Sequence, residues 1–240
     1  MTETWFSPRQ LQEQAQAPDR ERMGGGIGSY AQALRTGSIA GTGAASHNLV
    51  HAAGRVRQYH HVLRRRSFAA IADIGCGLGV TTAALAELYP DARVIGYELA
   101  PDAVDFASKH FPRADFVCQA IDPKTEFGER FDLILCQEFY PFTRTSDWTI
   151  QKSFIDMALR HLRPGGVLLI ELSERGGENT ILANMAALKS YAPLLRRLPF
   201  DRLHRNLKIF WLSRWASALA RLLRGANQNI VLILENRPDS

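Results

Sequence analysis

Apolar residues along this chain fall into two alternating patterns: short continuous runs, and longer stretches in which they recur every third or fourth position. The runs Phe68 to Ile74, Arg93 to Tyr97, Ala114 to Cys118, Phe131 to Cys136, Val167 to Leu172 and Asn229 to Glu235 have the length of strands. Between them, His47 to Arg66, Val80 to the turn before Pro90, Pro101 to Phe111 and Trp148 to Leu162 carry helical spacing. Regular alternation of strand and helix predicts an α/β, doubly wound fold. Beyond Leu172 the pattern weakens. Glu178 to Leu198 reads as a helix broken at Pro193, Asn206 to Leu223 as another, and Phe200 to Ile209 is the candidate for one more strand.

The first strand ends in glycines at every second position, Gly75, Gly77 and Gly79, and the helix after it opens with Thr81 and Thr82, hydroxyls able to cap its free N–H groups. Glycine here lets a ligand lie directly on the main chain. The next strand ends at Glu98, where a carboxylate can accept hydrogen bonds from both hydroxyls of a ribose. A dinucleotide fingerprint would need G-x-G-x-x-G, but the third glycine comes one residue early and Val80 stands where glycine is required. Asp73, directly before the turn, is poorly placed beside a pyrophosphate and well placed beside an amine and a sulfonium. The ligand with those groups is S-adenosylmethionine.

Composition narrows the class further. The 240 residues, 46% of them hydrophobic, suffice for one sizeable core. No apolar run reaches the ~20 residues that span a bilayer, and Met1 to Gln10 lacks the basic and apolar regions of a signal peptide, so a cytoplasmic protein is expected. Cys76, Cys118 and Cys136 are widely spaced in or beside apolar strands and read as buried free thiols. His47 with His51, and His60 with His61, have no completing ligands, so no metal is expected.

Residues 1–46 form an N-terminal arm, and its glycine-dense part, Met23 to Ala45, reads equally as a linker or as a lid carrying Tyr30 over a ligand. The domain proper then spans 47–240, with a basic helical insertion at about 178–226. From Ser190 to Arg224 there are eight Lys or Arg against Asp201, a local charge of +7 in a chain of net charge +5. Interleaved Trp211 and Trp215 allow an ordinary packed helix or a basic amphipathic one that meets an anionic partner.

The segments Asp73 to Gly79, VIGYEL ending at Leu99, FDLILCQEF from Phe131, and LRPGGVLLIEL from Leu162 resemble, in order, the motifs of the class I S-adenosylmethionine-dependent methyltransferases. The resemblance covers roughly residues 55 to 175. It implies a Rossmann-like, mostly parallel seven-stranded sheet with an antiparallel last strand, and S-adenosyl-L-methionine as cofactor. It implies cofactor contacts from Asp73, Gly75, Cys76, Gly77, Gly79, Glu98, Leu99 and Gln137; Tyr30 joins them as a candidate only through the lid reading of the N-terminal segment. Asp122 stands near the position that meets adenine in the family, and reads equally as a turn aspartate.

Methyl transfer is an in-line displacement, so much of the catalysis is positioning, and a base is needed only if the acceptor keeps its proton. The acceptor site belongs after the fourth strand, where Glu138 reads as a base or as a turn cap, Tyr140 and Phe142 as an apolar wall, and Arg144 as a partner for an anion. The Asn/Asp-Pro-Pro-aromatic motif of amide and base methylation is absent, which favours a small-molecule or glycosylated acceptor, anionic or lipid-linked if the basic segment contributes. RNA methylation through that segment is the alternative, and a non-catalytic cofactor-binding scaffold the third reading.

Overall fold

The computed structural model describes residues 49–173, 180–191, 195–200 and 229–236. The lid expected over Met23 to Ala45, Tyr30 within it, and the helix expected over Asn206 to Leu223 lie outside these residues. The elements are α1 (Leu49–Val62), β1 (Ala70–Ile74), α2 (Val80–Leu88), β2 (Arg93–Glu98), α3 (Pro101–His110), β3 (Asp115–Cys118), β4 (Phe131–Gln137), α4 (Tyr140–Thr143), α5 (Trp148–Arg160) and β5 (Leu162–Ser173). Then come α6 (Met185–Leu188) between two 3-10 turns, β6 (Leu195–Phe200) and β7 (Asn229–Glu235).

The strands make one seven-stranded sheet in the order β3-β2-β1-β4-β5-β7-β6. β1 pairs in parallel with β2 and β4, β2 with β3, and β4 with β5, whereas β7 is antiparallel to β5 and to β6. This is the expected Rossmann-like arrangement. Every residue of β1 is buried, as a central strand covered on both faces must be. One face packs Ala52, Val56 and Tyr59 of α1, and Leu63 just after it, with α2 over Ile71, Leu135 and Leu169. The other packs Phe154, Ile155 and Ala158 of α5 over Ile134, Ile170 and Leu232. Chain order reverses between β1 and β4, and the crevice at their carboxyl ends is where such sheets bind ligands.

Local sequence explains the boundaries that frame this crevice. Pro101 occupies the first turn of α3, where its missing N–H costs nothing, and Asp147 caps α5 by accepting from Thr149 N at 2.8 Å. The structure corrects four expectations. Thr81 and Thr82 do not cap α2, whose N-cap is Gly79 in the left-handed region. Pro164 to Gly166 is a bulge inside β5, which already pairs Leu162 with Phe131. The helix expected to reach Leu198 gives way to β6, so the sixth strand begins at Leu195, ahead of Phe200 to Ile209. Cys118 is exposed on the short edge strand β3.

Gly79 couples turn and packing, because its φ is +74° and an added Cβ would lie 2.6 Å from Phe116 Cε1 and 2.7 Å from Ala107 Cβ. Gly79→Ala combines left-handed strain with overpacking, and denaturant unfolding is expected to show a loss of about 2–4 kcal/mol.

Candidate active site

The crevice is built by backbone first. Gly75 N–H and Cys76 N–H both donate to Tyr97 O, at 2.8 and 3.0 Å, which ties the turn after β1 to the end of β2. Gly77 N–H donates to Glu98 Oε2 at 2.9 Å, and Leu99 N–H and Ala100 N–H donate to Oε1 at 2.8 and 3.1 Å. Burial pushes the Glu98 carboxyl up, and these three backbone donors oppose it. Oε1 has its two lone pairs engaged, so the remaining acceptor capacity sits on Oε2.

Asp73 is 1% exposed and accepts from Thr82 Oγ1 at 2.7 Å. Burial raises its pKa to about 6, against the hydrogen bond from Thr82 and the attraction of Arg55, while Glu98 adds to the rise. The two hydroxyls expected to cap α2 instead hold side chains of the site: Thr81 Oγ1 donates to Gln137 Oε1 at 3.0 Å. Gln137 pairs in register with Glu171 at the carboxyl ends of β4 and β5.

Glu171 is met from α1. Tyr59 Oη donates to Glu171 Oε2, and Arg55 Nε lies 4.0 Å from the same oxygen. Arg55 is 2% exposed, yet its Nε and Nη1 find no hydrogen-bond acceptor among the described residues. A buried guanidinium with unfilled donors is expensive, and an anionic ligand group would fill them. Arg55 was not singled out in the sequence analysis. The missed signal is spacing, since Ala52, Arg55, Val56, Tyr59 and Leu63 form one helical stripe.

After β4, Glu138 is exposed with φ 50°, a left-handed conformation that is unusual for a non-glycine residue and concentrates at functional sites. Tyr140 is half-buried at the start of α4, and burial raises its phenol pKa. Phe142, expected on a substrate wall, is 1% exposed and belongs to the core. The ring that reaches the crevice is Phe139, which would lie 2.9 Å from a Cβ on Gly75. Asp122 Oδ1 is engaged by Lys124 N–H at 2.7 Å, closing the turn after β3, so any contact with a ligand falls to its other oxygen.

A profile of the methyltransferase domain matches residues 71–166. A malonyl-[acyl-carrier protein] O-methyltransferase from Acetivibrio thermocellus is 28% identical over 41% of this chain and 33% of its own length. A trans-aconitate 2-methyltransferase from Azoarcus sp. is 32% identical over 43% of the chain and 39% of its own length. The chain thus spans under half the length of these curated relatives. Among solved structures, the plantazolicin methyltransferase BpumL, in complex with a pentazolic desmethylPZN analog and SAH, superposes with a TM-score of 0.60 at 14% identity, covering 96% of this chain and 98% of that one. The N-methyltransferase NodS from Bradyrhizobium japonicum gives 0.57 at 17% identity, covering 88% and 99%. Residues 71–166 thus carry a methyltransferase domain, set in the fold of the class I S-adenosylmethionine-dependent methyltransferases.

The cofactor of that class is S-adenosylmethionine, and the residues present suit it. Its amine and sulfonium match the buried acid Asp73, its carboxylate matches the unfilled donors of Arg55, and its ribose matches Glu98 Oε2.

The raised pKa of Asp73 has a defined sign. The folded protein holds this proton between about pH 4 and 6 and the unfolded chain does not, so the group's contribution to stability falls as pH rises through that window. A cationic ligand needs the ionised form, so its affinity is present above about pH 6 and lost below. Calorimetric titration with S-adenosylmethionine is expected to show about tenfold weaker binding at pH 5 than at pH 7. In Asp73→Asn that pH dependence should disappear, with weak binding throughout.

Proposed function

We propose that this protein transfers the methyl group of S-adenosylmethionine to a small-molecule acceptor. The observation that carries the reading is Arg55, a buried guanidinium with unfilled donors electrostatically coupled to Asp73 at the head of a glycine turn whose far side ends on Glu98. An amino-acid carboxylate on Arg55 and a ribose on Glu98 define the two ends of one ligand. The cofactor supplies a methyl group on a cationic leaving group. The protein's part is to hold acceptor and methyl carbon in line and to exclude water.

The acceptor site lies at the carboxyl ends of β4 and β5, bordered by Gln137, Glu138, Phe139 and Tyr140. Glu138 is the candidate base for an acceptor that arrives protonated, and Tyr140 orients it. Relatives named for O-methylation and for trans-aconitate support a small acceptor, and an anionic or lipid-linked one is the finer form of this proposal. RNA methylation is the second reading. Its support is a relative named ribosomal RNA small subunit methyltransferase C, from Cronobacter sakazakii, 26% identical over 53% of this chain and 41% of its own length. Closure of the Met23 to Ala45 segment over the cofactor belongs to the same proposal.

Transfer of labelled methyl from S-adenosylmethionine into pooled small metabolites, with total RNA in parallel, tests the acceptor class. Label in the metabolite fraction alone supports the first reading, and label in RNA alone replaces it with the second. Arg55→Ala should weaken S-adenosylmethionine and S-adenosylhomocysteine alike by about 1.5–3 kcal/mol in calorimetry, since both carry the carboxylate. NAD should show no comparable binding to the unaltered protein, and a tight NAD complex would overturn the cofactor assignment.

A further inference from the structure

Phe139 lies in neither core nor solvent. Its ring meets Phe142 and Phe154 edge-on, with centroids 6.3 and 5.7 Å away, and is otherwise only partly covered. These two contacts fix the ring against the core. Its Cδ2, Cε2 and Cγ line the space beside Gly75, and an added Cβ there would come within 2.9 Å of Cδ2. The first glycine of the turn thus admits an aromatic ring brought in from the far side of the crevice, between the ends of β1 and β4.

The position along the ligand follows from the proposed function, on which this inference rests. With the carboxylate at Arg55 near Asp73 and the ribose at Glu98 Oε2, the sulfur must lie between them. Gly75 is the turn residue between Asp73 and Gly77, whose N–H meets Glu98. An aromatic ring attracts a cation electrostatically when the charge lies within about 6 Å of its centroid, and more strongly where water is excluded.

We propose that Phe139 is a specificity-determining residue that holds the cofactor's sulfonium by a cation–π contact, favouring the methyl-bearing cofactor over its neutral thioether product. Asp73 supplies attraction from one side and the ring from the other. The αL turn at Glu138 brings the chain out of β4 immediately before this ring, which gives its strained conformation a purpose.

The test compares S-adenosylmethionine with S-adenosylhomocysteine, which share every group except the methyl and the charge. Calorimetric affinities of both are measured for the unaltered protein, Phe139→Leu and Phe139→Tyr, with circular dichroism melts to confirm folding. The expected result in Phe139→Leu is a loss of about threefold to thirtyfold for S-adenosylmethionine and under about twofold for S-adenosylhomocysteine. Phe139→Tyr, which keeps the ring, should restore the difference. Equal losses for both ligands, or none, would overturn the inference while leaving the proposed function standing. Failure of the unaltered protein to bind either ligand would overturn both.

Discussion

Two carboxylates, Asp73 and Glu98, are buried at the ends of adjacent strands, and the architecture of the crevice answers the cost of putting them there. Glu98 is held by three backbone N–H groups, one of them from the glycine turn, so the turn and the acid fix each other's geometry. Asp73 has one hydroxyl from Thr82 and the more distant charge of Arg55, which leaves its ionisation poised near neutrality. Glu98 is structural and positioning at once, and Asp73 is held ready for a cation.

Arg55 completes this electrostatic arrangement. Its nearest anion is Glu171, which Tyr59 also engages, and the 4.0 Å separation leaves the guanidinium paired in charge but short of hydrogen bonds. Buried charge left in that condition costs stability that well-packed apolar side chains would not. The described part of the protein therefore carries a local deficit at the place where strand order reverses and a ligand is expected. Phe139 reaches that place from β4, and only a residue without a Cβ at position 75 lets it do so.

The glycine turn, Asp73, Glu98 and the central strands were legible in the sequence because local chemistry dictates them: runs of buried apolar residues on either side of a backbone that must turn tightly. β6 was not, since LRRLPF carries two arginines and a proline. Such residues suit an edge strand and obscure the strand pattern. The role of Phe142 was misread because a short helix after β4 turns that ring into the core and leaves Phe139 beside the turn. No sequence signal joins Phe139 to Gly75, which meet only through the pairing of β1 with β4. Arg55 was legible in principle, as a charged residue inside an apolar helical stripe.

The central claim is that the crevice between β1 and β4 reads the two ends of one ligand, an amino-acid carboxylate and a ribose. A crystal structure of the protein with S-adenosylhomocysteine tests it most directly. The account predicts the carboxylate on Nε or Nη1 of Arg55, a ribose hydroxyl on Glu98 Oε2, and the sulfur between them beside Gly75 and Phe139. A ligand bound with its carboxylate away from Arg55, or with its ribose away from Glu98, would contradict it.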